Sequence, residues 1–282
     1  MTAPAAPPRL KAPLGACDTH MHLYDRRYPL APTALGPPPE AGVAEYREIQ
    51  RRLGLTRTVV VQPSAYGTDN SCTLDGIATL GLETTRGIAV VDETVMEAEL
   101  QDLTRRGMRG VRFHMLPGGA LGWDRLDAIA ERVQGVGWHV QLQLDGRTLP
   151  EREAQIRSWP GRIVIDHVGK FLEPVAPEHP AFRCLLGLVE TGRVWVKLSA
   201  AYEVSKAGAP GYEDVGLLAK ALVQAAPERM LWASNWPHPS VTEKPDDAGL
   251  LDLLLDWAPD EATRRRILVD NPAEVYGYSE TV

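Results

Sequence analysis

Short apolar, β-branched runs alternate along this chain with longer stretches whose apolar residues recur at helical spacing. The runs predict strands over 16–19, 57–62, 87–91, 110–114, 139–144, 163–167, 194–199 and 230–234. Several are almost wholly apolar, such as 58–61 and 163–165, which is the pattern of strands covered on both faces. Helical spacing covers 43–53, 94–106, 121–136, 214–226 and 260–269. Their limits carry start and stop signals. Asp92 and Glu93 precede the second stretch and Gly107 follows it; Gly137 closes the third; Pro227 and Asn271-Pro272 stand past the last two.

A strand followed by a helix, repeated along the whole chain, predicts a parallel sheet with crossover helices. Eight such units close into a single (β/α)8 TIM barrel with its chemistry at the C-terminal ends of the strands. An open doubly wound sheet would bring a Gly-rich phosphate loop after an early strand, and neither G-x-G-x-x-G nor a Walker sequence occurs. The 282 residues suit one such unit. The expected organisation is a flexible, Pro-rich N-terminal tail over 1–15 and a barrel over 16–278. The stretch 24–42, with Pro37 to Pro39, follows the first strand and is placed to fold over the mouth.

Charge narrows the partners. The formal net charge is −7 and no run of Lys and Arg offers a track for phosphates, so nucleic acid is not expected. No apolar run reaches the ~18 residues of a membrane span. Cys17, Cys72 and Cys184 are too widely spaced for a Cys-x-x-Cys site or a disulfide framework, which points to a reducing compartment and a cytoplasmic location. Nothing in the chain fixes an oligomeric state.

The strand ends are polar. His20 and His22 lie at alternate positions of the first strand, so their imidazoles share a face. The second ends in Gln62, Ser64 and Tyr66. The fourth carries Arg112 and His114, and the fifth carries Gln141, Gln143 and Asp145. Asp166, His167 and Lys170 close the sixth. Lys197, Ser199 and Tyr202 belong to the seventh, and Ser234, Asn235 and His238 to the eighth. An unpaired buried polar group costs ~1–3 kcal/mol, so a merely structural barrel would hold few of these. Arg112 demands an anion, from an internal carboxylate or from a substrate. Lys197 inside a strand likewise demands a partner.

The His-x-His of the first strand, the histidine ending the sixth and the closing Asn235-Trp-Pro-His238 together resemble the amidohydrolase superfamily, in its 2-pyrone-4,6-dicarboxylate lactonase and galactarolactone isomerase branch. The likeness runs from Asp18 to Tyr276 and includes the runs 59–62, 110–113, 137–140, 166–169, 231–238 and 268–272. It implies an enzyme that opens or rearranges the ester of a small carboxylated lactone. Two positions depart from the lactonase pattern: Asn235 replaces an aspartate acting as base toward water, and Lys170 replaces an arginine. An amide takes no proton near neutral pH. Attack by a neighbouring hydroxyl of the substrate is then the favoured route. His20, His22, His167 and Asn235 are the expected catalytic set, with Asn235 donating to the carbonyl oxygen and Arg112 or Lys197 clamping a distal carboxylate. Gln62, Ser64, Tyr66, Arg112, His114, Gln143, Lys170, Lys197, Tyr202 and His238 are expected to bind substrate. No cofactor is required by this reading; a divalent metal, Zn or Mn, would be held by His20, His22 and His167.

Overall fold

The computed structural model describes residues 6–279. Eight parallel strands lie side by side in chain order: β1 (Cys17–Met21), β2 (Arg57–Val61), β3 (Thr85–Ala89), β4 (Met108–His114), β5 (His139–Gln143), β6 (Ile163–Ile165), β7 (Val194–Leu198) and β8 (Met230–Trp232). Around them run α1 (Val43–Leu53), α2 (Ser71–Leu80), α3 (Glu97–Arg105), α4 (Leu126–Gln134), α5 (Leu149–Ser158), α6 (Pro180–Val189), α7 (Glu213–Ala225), α8 (Asp247–Asp252), α9 (Leu254–Trp257), α10 (Glu261–Arg265) and α11 (Asn271–Tyr276). This is the (β/α)8 barrel that the alternating pattern predicts.

The five helices expected from spacing are all present. The stretch 121–136 divides into a 3₁₀ turn, Trp123–Arg125, and α4, while 260–269 continues past α10 into a π turn, Arg266–Asp270. Spacing did not reveal α2, α5, α6, α8, α9 or α11. In α2, Gly76 lowers helix propensity, yet a Cβ there would lie 2.1 Å from Leu23 Cδ1, so close packing explains the glycine. In α5 the sides are charged and only Leu149 and Ile156 are buried.

Two apolar layers sandwich the strands. The larger core fills the space between strands and helices. A smaller one plugs the barrel floor with Cys17, Val59, Val61, Ile88, Val164, Trp195 and Leu231, closed from below by Tyr276 and Tyr278. Residues 1–5 of the expected tail lie outside the described residues. In the remainder, Leu10 is buried, and the Arg9 and Leu10 amides donate to the Asp252 carboxylate. Among the described residues, no helix is long and apolar enough to cross a membrane.

The barrel closes between β8 and β1. A register shift in β1 sets Asp18 opposite Thr58 but Met21 opposite Val60, three residues against two. The shift turns Asp18 outward beneath α1 and His20 inward. Asp18 accepts hydrogen bonds from Ser234 Oγ (2.5 Å), Ser234 N (3.0 Å), His20 N (3.2 Å) and Tyr46 OH (3.0 Å). Beyond it, Asn235 N donates to His20 O and His22 N donates to Trp236 O, both at 2.8 Å. Replacing Asp18 by Ala strands four buried donors, so Asp18→Ala should lower stability by roughly 3 kcal/mol or more, read as a fall in the urea midpoint.

Candidate active site

The chain leaves several strands in backbone conformations that side chains seldom adopt. His167, Val168 and Lys170 after β6, Ala200 after β7, and Asn235 and His238 after β8 all have φ between 48° and 61°. A β-branched residue such as Val168 is a real outlier there. Such strain costs about 1–3 kcal/mol per residue and gathers where a site over-determines the backbone. Its effect here is to end β6 and β8 earlier than the apolar runs suggest and to turn His167 and Asn235 over the barrel mouth.

Those turns shape a cavity of about 550 Å³. His22, Ser64, Arg112, His114, Gln143, His167, Lys170 and Asn235 line it, as expected from the sequence. Leu35 to Pro39 lie over it, so the stretch after β1 does cover the mouth. Glu203, Tyr24 and Ser240 complete the wall.

Beneath the cavity lies a polar layer with no access to solvent. Lys197 Nζ donates to Gln141 Oε1 at 2.7 Å and sits 3.4 Å from Asp166 Oδ1 and 3.3 Å from His20 Nδ1. Gln141 Nε2 donates to Asp166 Oδ2 at 3.1 Å. Burial pulls Lys197 down to about 8, with Asp166 opposing the shift. Burial raises the Asp166 carboxyl, but Lys197 foremost, with Arg112 and a hydrogen bond from Gln141, outweighs it and holds its pKa below the ordinary value. His22 Nδ1 donates to Val61 O at 2.8 Å, so its Nε2 is the bare nitrogen, 3.2 Å from His20 Nε2. Burial, then Arg112, lowers His22 to about 3; burial also depresses His20 and His167. All three imidazoles are neutral at working pH.

Arg112 donates to Gln62 O (2.9 Å) and Gln143 Oε1 (2.7 Å), both uncharged, and its Nε has no partner. Its charge is therefore not cancelled by a direct carboxylate contact, which suits an anionic ligand. His167 Nδ1 is bonded to Ser199 Oγ at 2.8 Å. Lys170 is paired with Glu203, which also accepts from Ser240 and, at 3.3 Å, from Asn235 Nδ2.

Other expected site residues lie off the cavity. The Gln62 side chain is committed to Gly67 O, Asp69 O and Thr73 Oγ1, and Tyr66 OH to the backbone of Asp25. Lys197 is fully buried on Asp166 and Gln141, off the cavity that Arg112 lines. Asn235 cannot donate to a carbonyl as expected, because both hydrogens of Nδ2 are taken by Tyr202 OH (2.8 Å) and Glu203. Tyr202 and His238 stand behind Asn235, and His20 beneath His22. Sequence reasoning gave Asp166 and Gln141 no role, although each adjoins or alternates with a residue it chose. Glu203 was signalled only by its neighbour Tyr202. Asp247, 3.0 Å from His238 Nε2, was not signalled at all.

His20, Asp166 and His167 bring three ligand-type atoms within 4.8 Å of one another. This differs from the expected set by exchanging His22 for Asp166. It suits a divalent ion poorly. The Lys197 ammonium already lies against Asp166 and His20, supplying the charge an ion would bring, and Asn235 adds no anion.

The amidohydrolase family model matches residues 17–278, and the chain belongs to that family. It is 39% identical to D-galactarolactone isomerase of Agrobacterium fabrum (strain C58 / ATCC 33970), over 95% of this chain and 92% of that one. It is 33% identical to a 2-pyrone-4,6-dicarboxylate hydrolase of Comamonas testosteroni, over 95% and 92%. An apo crystal structure from Agrobacterium tumefaciens superposes with a TM-score of 0.92 at 38% identity, covering 97% of this chain and 100% of that one.

Since Lys197 already neutralises the buried carboxylate, dialysis against a chelator should leave turnover within about twofold and the melting temperature unchanged. Loss of activity that Zn or Mn restores would reverse that conclusion.

Proposed function

We propose that this protein rearranges a small carboxylated sugar-acid lactone by intramolecular transesterification. The observation that carries this reading is the pairing of His167 with Asn235 at one cavity. Each has its inner atom tied down, and among the described residues no group bonds His167 Nε2 or Asn235 Oδ1. The kinship with a D-galactarolactone isomerase supports the choice of substrate class.

The substrate's carboxylate is held by Arg112. A neighbouring hydroxyl, hydrogen-bonded to His167 Nε2, attacks the lactone carbonyl carbon and gives its proton to that imidazole, while Asn235 Oδ1 accepts from another hydroxyl of the substrate. A new ester bond forms, the old ring C–O bond breaks, and the departing ring oxygen takes the proton back from His167. Atoms and charge balance without water or cofactor. The tethered nucleophile replaces much of the work of activating water. A neutral imidazole is the form that such a shuttle needs.

Hydrolysis is the second reading, favoured by the likeness to the hydrolase of Comamonas testosteroni and by a carboxylate, Glu203, in the wall. Against it, Lys170, Ser240 and Asn235 all engage that carboxylate.

A panel of aldaric and aromatic lactones, followed by carbon NMR alongside acid release, separates the two. Ring exchange without acid is expected; stoichiometric acid would establish the hydrolase instead, and no turnover on any lactone would end both readings. His167→Asn suits the left-handed backbone and should cost roughly 10²–10⁴ in kcat, with the melting temperature within a few degrees. Asn235→Asp places a carboxylate beside Glu203, which raises its pKa and makes it a base for water. Acid release should rise relative to ring exchange; an unchanged product ratio would count against the role given to the amide.

A further inference from the structure

Asp247 begins α8 and is buried against His238. An ionised carboxylate only accepts hydrogen bonds, so His238 Nε2, 3.0 Å from Asp247 Oδ1, carries the hydrogen. A neutral imidazole has one N–H, which leaves His238 Nδ1 as an acceptor. The Tyr202 hydroxyl, 2.8 Å away, must then donate to it. With its hydrogen spent, the phenol oxygen accepts from its remaining neighbour, Asn235 Nδ2, at 2.8 Å. Burial raises the pKa of the phenol, so the proton stays on Tyr202. Glu203 Oε1 imposes the same orientation independently, since it too only accepts.

We propose that Asp247, His238 and Tyr202 form a positioning relay that fixes the Asn235 amide with Oδ1 toward the cavity, where it accepts a hydrogen bond from a substrate hydroxyl beside the nucleophile. The orientation follows from the hydrogen-bond directions alone; what Oδ1 meets rests on the reaction proposed above. The backbone holds the same arrangement. Asn235 N is bonded to His20 O and His238 N to Asn235 O, at 2.8 and 2.9 Å, across a turn in which both residues have positive φ. Tyr202 itself comes from the 3₁₀ turn Ala201–Glu203 after β7, so three separate segments converge on one amide. The chemical consequence is specific. An acceptor that cannot take a proton fixes the substrate through a hydroxyl that does not react, and leaves the nucleophile's one hydrogen to His167.

Two measurements test the relay. Long-range proton–nitrogen spectra of the ligand-free, histidine-labelled protein should show His238 with hydrogen on Nε2 and a bare Nδ1. A proton on Nδ1 of the neutral ring would reverse every direction in the chain and overturn the proposal, whatever the substrate proves to be. The second is a double-mutant cycle. Tyr202→Phe keeps the ring and its packing, and should lower kcat roughly tenfold to a hundredfold. KM should stay within about threefold. In an Asn235→Ala background the same change should cost nothing further, because Tyr202 then has no amide to hold. An equal loss in both backgrounds, with unchanged melting temperatures, would show that Tyr202 acts independently of Asn235 and would also overturn it. Should no lactone turn over, the reaction assignment fails while the spectra still decide the orientation.

Discussion

The seam between β8 and β1 is the constraint on which the site depends. Its clamp is one carboxylate. Asp18 is fully buried, and desolvation raises its pKa against the opposing hydrogen bonds from Ser234, His20 and Tyr46. Those bonds bind the last strand, the first strand and the first helix to a single point. The cavity residues on either side of the seam are its immediate neighbours in sequence. His20 and His22 follow Asp18, and Asn235 follows Ser234. Two backbone bonds, Asn235 N to His20 O and His22 N to Trp236 O, then set the amide and the imidazoles in one frame. A barrel that closed one residue out of register would turn the histidines toward α1 and remove the site.

The interior above the floor is stabilised by charge rather than by apolar packing. An ammonium, a carboxylate and an amide share the barrel cross-section with His20, all at zero exposure. Such a layer is costly to desolvate, and each member is held by the others. Its positive member holds the Asp166 pKa down, and burial, with Arg112 adding to it at His22, lowers the basicity of the imidazoles. His22, His167 and Arg112 line the same cavity, so a guanidinium that lowers the basicity of an imidazole and the imidazoles themselves face one substrate.

Much of this was legible in the sequence, because strands covered on both faces announce themselves as apolar runs and because polar residues at their ends are anomalous. The face shared by His20 and His22 followed from the strand period. Gly76 and a charged surface hide α2 and α5, whereas α6 carries Ala181, Phe182, Leu185, Leu188 and Val189 at helical spacing and was legible but missed. The roles within the site were less legible. Gln62, Tyr66 and Lys197 read as ligands for substrate because they stand at or near strand ends, yet their side chains hold loops or the buried layer. No periodicity distinguishes a side chain that faces the cavity from one that braces it. Asp247 stands nine residues after His238, at the start of α8, and no strand or helix period links the two.

Asn235 is where sequence and structure together constrain the chemistry most tightly. An aspartate at that position would stand 3.3 Å or so from Glu203 and would have to meet the Tyr202 oxygen without a hydrogen to offer. Either Glu203 or the new carboxylate would then hold a proton, and the Lys170 pair would be disturbed. The amide resolves the conflict: its NH2 satisfies two acceptors behind it, and its carbonyl oxygen is left for the cavity. Asn also adopts the left-handed backbone that the turn demands at a lower cost than alanine or a β-branched residue. An amide at 235 is thus compatible with a carboxylate–lysine pair in the wall, where a second carboxylate would not be. A site built this way favours a nucleophile that arrives with the substrate over one that must be drawn from water.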